Sequence, residues 1–365
     1  MSAPREAIAC SQTADIRSWP RLRAAIVSFD PTPGTWLIGV LILVSLSTMF
    51  VMAFLLTDDT AVALVLTLLV GLLALLGFVL GMVTSTGVRA PRAIDVGMAL
   101  VGVSISQFMT REMGMPLLVA GAAAGTFVGL ACLPGMPLDA MSSGSAYTAV
   151  FTGLVPQSIT LPSWTILLAG VVAGTLFSII GPSVMPGVGA RMGTAAFMGG
   201  SLVYFMADAL GAERPPLLPP PHEHLPHWAV VPLGFFAAII TWVLVDRFRM
   251  PFVLASAGPA LVICALIASY QPIHAPTLGA AWLGGTFVGG SGSNRLPTAL
   301  WVGVAGAIFG SLMLHFDGPL KGHMGVIGAT GTIAVLATVG LEWWLHVRPL
   351  AHAVSRVVAL GEREG

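Results

Sequence analysis

Two short stretches hold most of the side chains that could touch a solute. Ser142, Ser143, Ser145, Tyr147, Thr148 and Thr152 crowd segment 142–158. Gly284, Gly285, Thr286, Gly289, Gly290, Ser291, Gly292 and Ser293 crowd segment 277–293, which closes on Asn294 and Arg295. Each glycine would weaken an isolated helix by about 1 kcal/mol relative to alanine, so both segments are expected to be short and broken. Broken backbone is tolerated at membrane depth where it is buried in protein or lines a cavity, and there its free carbonyls and neighbouring hydroxyls can take over a solute's hydrogen bonds. A substrate path is therefore expected along Ser143, Ser145, Tyr147, Thr148 and Thr152, and along Gly284, Gly285, Thr286, Gly289, Gly290, Ser291, Ser293, Asn294 and Arg295. The competing expectation is that these small residues only let helices pack closely.

Arg295 is the charge best placed to act, because it follows a broken segment directly and could attract an anion or face a buried carboxylate. Its alternative is an interfacial arginine that snorkels to headgroups. Asp95, Arg191 and His323 are further ionisable candidates, with an interfacial cap as the alternative for Asp95. Asp208, Asp246 and Glu342 lie near the ends of apolar runs, and this scarcity of deep carboxylates argues against carboxylate-based proton coupling. His222-x-His224 with His227 has metal-ligand residue types in a proline-rich connector, and His315-x-Asp317 with Lys321 and His323 forms a second polar cluster; both read as loops, so no metal is expected. Cys10, Cys132 and Cys264 are far apart and imply neither a disulfide framework nor a metal site. A nucleophile elbow, a phosphate loop with lysine, a zinc-binding His-Glu helix and an Asp dyad are all missing, so no catalytic residue, no cofactor and no enzyme activity are expected.

The elements that must position these residues are membrane spans. The chain is 56% hydrophobic and 9% charged, against roughly 25% charged in an ordinary soluble domain, and its mean hydropathy is +0.91. Net charge is zero and no basic run is present, which argues against a nucleic-acid partner. A span needs about 20 apolar residues. Runs near 36–56, 61–84, 93–110, 114–133, 162–180, 190–207, 228–245, 250–269, 297–314 and 323–343 meet that length fully or nearly so. The expected fold is an all-α polytopic membrane protein of 10–12 transmembrane helices with an internal duplication.

The duplication rests on landmarks 135 residues apart: Met115-Pro116-Leu117 returns as Met250-Pro251-Phe252, and Leu161-Pro162-Ser163 as Leu296-Pro297-Thr298. Small slips then relate Gly170-x-x-x-Gly174 to Gly306-x-x-x-Gly310, Gly181-Pro182 to Gly318-Pro319, and Arg191-Met192-Gly193 to His323-Met324-Gly325. The two Gly-x-x-x-Gly pairs read as packing motifs. The expected divisions are a tail 1–34, two leading helices in 35–90, repeat 1 in 91–210, a Pro-rich linker 211–227, repeat 2 in 228–344 and a tail 345–365. Whether segments 142–158 and 277–293 cross or re-enter decides the topology. Ten crossings leave five of the 16 lysines and arginines outside (Arg111, Arg191, Arg247, Arg249, Lys321). Twelve leave three (Arg111, Arg214, Lys321), and the positive-inside bias favours twelve. Five spans per copy then invert the second copy relative to the first.

Two five-span copies, each with a short interrupted segment before a Gly-rich span, resemble the layout of urea transporters. That resemblance implies an inverted five-plus-five arrangement. The Leu-Pro-x-Thr-x-Pro signature of that family is absent, since Leu296-Pro297-Thr298 continues as Ala299-Leu300-Trp301, so urea is not implied. The function expected is a transporter or channel for a small polar solute or ion, with its path at the repeat interface, embedded in lipid and open to homo-oligomerisation. Its alternatives are a non-transporting scaffold of an envelope-assembly complex, or a lipid-handling enzyme that would use Asp95, Asp139 or Arg295. The polar N-terminal stretch with Arg5, Arg17, Arg21 and Arg23 lacks a secretory signal. A multi-pass inner (plasma) membrane location with both termini cytoplasmic is the expectation.

Overall fold

The computed structural model describes residues 32–56, 61–86, 88–136, 138–155, 161–181, 183–211, 227–316 and 325–361. Among them every regular element is helical: α1 Pro33–Leu56, α2 Ala61–Val83, α3 Ala93–Gln107, α4 Leu117–Leu130, α5 Ala140–Gly153, α6 Ser163–Ile180, α7 Arg191–Ala209, α8 His227–Asp246, α9 Phe252–Tyr270, α10 Ala275–Gly289, α11 Ala299–Phe316 and α12 Val326–Gly361. A π turn, Phe108–Glu112, extends α3. Among the described residues seven helices are long and apolar enough to cross a membrane, and Leu117–Leu130 and Ala299–Leu314 are apolar but shorter. Helices suit this composition because a helix satisfies its backbone within the segment, where lipid offers no partner.

Helices α1 and α2 turn many large apolar side chains outward, and alanines crowd the interior of the bundle. Val65, Leu66, Leu69, Leu72 and Leu75 of α2 and Trp36, Leu37, Val40 and Val44 of α1 are exposed, whereas Ala99, Ala120, Ala124, Ala146, Ala173, Ala237, Ala257 and Ala305 are fully buried. Small buried residues let backbones approach, which is how helices associate when burial from water supplies little drive. Gly234 of α8 and Gly306 of α11 are reciprocal: a Cβ on either would overlap the other's carbonyl oxygen. Gly170 and Gly174 face Val103 and Ala99 of α3, and Gly310 faces Val231 of α8, so both Gly-x-x-x-Gly pairs are packing surfaces.

Within the two stretches expected to be broken, Ala140–Gly153 and Ala275–Gly289 form continuous helices, α5 and α10; residues 290–293 lie beyond α10 in a non-helical connection, and residues 156–158 lie outside the described residues. Propensity describes an isolated helix, and here close packing outweighs it. Gly144 meets Phe177, Gly284 meets Phe309, Gly285 meets the Gly234 carbonyl, Gly289 meets Ala238 and Gly290 meets Phe252. Neither helix doubles back. Arg92 at the start of α3 bonds Asp139 at the start of α5, and Gln107 at the far end of α3 donates to the Gly153 carbonyl at 2.6 Å, so α5 runs parallel to α3 from end to end. Gly285 on Gly234 and Gly289 on Ala238 set α10 parallel to α8 in the same way. At 14 and 15 residues they are about 21–23 Å long, shorter than a hydrocarbon core of about 30 Å.

One end of the bundle is tied together by loops. Thr86 N donates to Ser183 O and Gly292 N to Gly187 O, both at 2.9 Å; Met185 N donates to Ser85 Oγ at 3.0 Å. The ends of α2, α6 and α10 therefore share one face. Two helix pairs are antiparallel across the middle. In α4 and α9, Gly129 abuts Leu254 and Gly125 abuts Ala257; in α7 and α12, Gly193 abuts Gly328 and Gly325 abuts Phe197. Helix α2 crosses α12 where Gly77 meets Leu336 and Gly340 meets Leu73.

Candidate functional site

Three polar constellations stand out in this apolar bundle. The first is a clasp joining the starts of α3 and α5. Arg92 Nε and Nη2 donate to the Asp95 carboxylate at 3.1 and 2.7 Å, and Nη1 and Nη2 donate to Asp139 at 2.5 and 2.9 Å. Ser142 Oγ donates to Asp95 Oδ1 at 2.8 Å. Asp139 also caps α5 by accepting from Met141 N and Ser142 N at 3.1 and 2.8 Å. Hydrogen bonds from the Arg92 guanidinium hold the Asp139 carboxyl well below the usual carboxylate range, against a smaller opposing push from burial. The same bonds to Asp139, then those to Asp95, raise Arg92. Asp95 is thus an ion-paired cap, buried to 2% exposure.

The second constellation is a string of hydroxyls inside the bundle. Tyr147 of α5 is fully buried, and its hydroxyl lies 3.0 Å from Ser256 Oγ of α9. Ser256 Oγ is 2.7 Å from Thr286 Oγ1 of α10, and Thr286 donates to Leu283 O at 2.6 Å. Phe151 and Phe287 complete an edge-to-face group with Tyr147, with ring centroids 4.8–5.8 Å apart. Close by in sequence, Ser145 Oγ and the indole N–H of Trp282 are buried without a hydrogen-bond partner, as are Thr241 Oγ1 and Trp242 Nε1 of α8. Such groups are rare, because burying an unpaired polar atom costs about 1–3 kcal/mol.

The third is Arg295, in the connection after α10 and only 3% exposed. Its Nε donates to Pro186 O at 2.9 Å and its Nη2 bonds Thr84 Oγ1. Nη1 is buried and has no partner. Arg295 lines a cleft with Leu80, Asn294, Val339, Glu342, Trp343 and His346. Glu342 is 5% exposed, with His346 Nδ1 donating to its backbone carbonyl at 2.8 Å. Burial pushes the Arg295 pKa down to about 10, so it stays cationic at neutral pH. Gly187, at φ +80°, shapes the wall: a Cβ there would crowd Asn294 and Arg295.

The sequence candidates are thereby divided. Tyr147 and Thr286 meet through Ser256. Ser143, Thr148 and Thr152 are buried and donate back to the carbonyls of Ala140, Gly144 and Thr148. Ser291 bonds Val288 O and accepts from Gly189 N at 3.2 Å. Gly284, Gly285, Gly289 and Gly290 are packing contacts, so leucine at Gly289 or Gly290 would disrupt the fold before it tested any path. Ser293 and Asn294 lie in the loop that carries Arg295. Arg191 is held by loop carbonyls, those of Gly181, Val184 and Val188, at 2.6–2.8 Å. His323, with His222, His224, Asp317 and Lys321, lies outside the described residues. Among the described residues no His, Cys, Asp and Glu group could hold a metal.

Arg92, Thr84 and Ser256 were missed, since each gains its role from a partner 47 or more residues away. Glu342 was read as lying near the end of a span, yet this stretch of α12 shares a cleft with Asn294 and Arg295 of the α10–α11 loop. Comparison with known proteins finds no matching family model, no matching curated protein and no matching solved structure. Fold and composition define the class: among the described residues the chain is all-helical, with seven helices long and apolar enough to cross a membrane, as in a multi-pass membrane protein.

Proposed function

We propose that the chain is a carrier or channel for a small polar solute or ion, moving between two inverted halves, residues 91–210 and 228–344. The hydroxyl string Tyr147–Ser256–Thr286 carries the reading. It joins the first half (α5) to the second (α9 and α10) in the bundle interior, where polar groups are costly and mark solute pathways. Unpartnered Ser145 and Trp282 on the same two central helices add capacity to bind a polar guest.

Several contacts support the inverted duplication. The turn after α3 has Met113 N bonded to Phe108 O and Met115 N to Met109 O; that after α8 has Phe248 N bonded to Val243 O and Met250 N to Leu244 O, each pair at the 135-residue offset. Positive φ recurs at Gly114 and Arg249. The cap angles recur too, Pro116 at φ −54°, ψ 135° and Pro251 at φ −53°, ψ 131°. At the same offset Gly193 corresponds to Gly328, which it touches, and Ala190–Thr332 corresponds to Phe197–Gly325. This replaces the slipped landmark that aligned Gly193 with Gly325. Equivalent helices that pack antiparallel require a two-fold axis between the halves, and solute sites lie at such interfaces. Five traverses per half with α1 and α2 make twelve crossings, which keeps both termini on one side, the cytoplasmic side of a plasma membrane by the cation bias.

The test is solute-driven swelling of proteoliposomes with urea, glycerol, potassium chloride and potassium acetate. Wild-type protein is expected to pass at least one of these faster than empty vesicles. Tyr147→Phe and Ser256→Ala remove hydroxyls at little volume cost, about 1 kcal/mol of interhelical bonding each. Each is expected to slow that flux about tenfold or more. Wild-type flux in both variants would reduce the string to interhelical bonding. Wild-type vesicles as tight as empty ones would favour a scaffold, the reading to which the dense glycine contacts of α5 and α10 lend weight.

A further inference from the structure

We infer that Arg295 forms a binding site for a small monoanion in the cleft between α2, α12 and the α10–α11 loop. The inference deepens the transport reading and takes its consequence from it, by making the solute anionic. The guanidinium is 3% exposed, and the atoms it bonds, Pro186 O and Thr84 Oγ1, are neutral acceptors. Neither supplies counter-charge; Glu342 lines the same cleft but its carboxylate makes no hydrogen bond to the guanidinium, and a buried cation without a directly bonded anion is an expensive group for a protein to hold. Nη1, with two N–H bonds, is the end of the fork that no protein atom uses. Nε and Nη2 are anchored, so Nη1 is held in place with little conformational freedom left to lose, the preorganisation that anion recognition rewards.

The size and charge of the guest follow from the walls. Leu80, Val339 and Trp343 are apolar, and Asn294 adds an amide. One free guanidinium nitrogen suits a single anionic atom or one oxygen of a small oxyanion, such as chloride, nitrate or acetate, rather than a polyphosphate. Glu342, which lines the same cleft, opposes the anion electrostatically. It sets an affinity weak enough for release, as conduction requires. A lipid phosphate offers the same oxyanion chemistry, and the membrane composition separates the two sources.

The experiment uses the full chain in nanodiscs of phosphatidylcholine, with sodium chloride, nitrate or acetate titrated against gluconate at constant ionic strength while Tm is followed. A saturable rise in Tm is expected for at least one small anion. Glu342→Gln leaves both protein bonds of Arg295 in place and is expected to lower the half-saturating concentration about tenfold. Arg295→Met is expected to abolish the saturable response. Should that variant fail to fold, Glu342→Gln decides alone. Discs containing phosphatidylglycerol whose Tm is already raised, and no longer responds to chloride, nitrate or acetate, would assign the site to a lipid headgroup and overturn a soluble anion. A response equal in wild type and Glu342→Gln, or none in wild type, also overturns it. Such a failure leaves transport of a neutral solute standing, since swelling with urea or glycerol is read separately.

Discussion

Arg92 and Arg295 sit at the same end of the bundle and have opposite surroundings. Arg92 is about one-third exposed and meets two carboxylates, whereas Arg295 is buried and meets neutral oxygens, with one nitrogen unpartnered. The first is closed upon itself: three charges and a serine satisfy one another and fasten α3 to α5. The second carries a charge that its contacts do not balance. The difference separates a fastening from a site, because uncompensated buried polarity persists where something else supplies the compensation.

The largest expected effect breaks the clasp. Arg92→Gln leaves Asp95, 2% exposed, as a buried carboxylate without its cation, a change of about 3–5 kcal/mol. Adding Asp95→Asn should restore most of it, as read by unfolding in mixed detergent. If the double variant is no better than the single, the cost lies elsewhere. Arg295→Met should cost less, about 1–3 kcal/mol for two stranded acceptors, offset in part because a buried charge is also removed. A larger loss from Arg295→Met than from Arg92→Gln would reverse the comparison.

The smallest effect is Asp139→Asn. Its side chain is half exposed, so solvent screening limits the pair to about 1 kcal/mol or less. Asp139 is depressed in the folded state, so its contribution is present above the unfolded carboxylate value of about 4 and fades as pH falls below it. The Asn variant should lose that part of the acid-dependent decline in Tm, and a decline identical to wild type would remove Asp139 from the clasp's energetics.

The helices were legible wherever an apolar run approached 20 residues, and outward Leu and Val with inward Ala and Gly followed from lipid as solvent. Within segments 142–158 and 277–293, α5 and α10 run unbroken where a break was expected, for a specific physical reason. Counting glycine by its propensity in an isolated helix ignores Gly285 resting on Gly234 and Gly144 on Phe177, contacts a longer side chain could not make. Tyr147, Thr286 and Arg295 were picked out by residue type in apolar context. Ser256, a lone serine in an apolar span, carried no such signal until α9 was laid beside α5 and α10. Asp95 read as an ionisable candidate with an interfacial cap as the alternative until Arg92 and Ser142 closed around it.

By itself the sequence determined the environment and the building blocks: a composition too apolar for water, spans of bilayer length, and echoes at a spacing of 135 residues. Those properties are local or additive, and hydropathy sums them without knowing any contact. Tertiary structure alone decided which polar groups are satisfied. Hydrogen bonding and charge compensation depend on distances of about 3 Å between residues far apart in the chain, and only packing brings Arg92 to Asp139 while leaving one nitrogen of Arg295 without a protein partner.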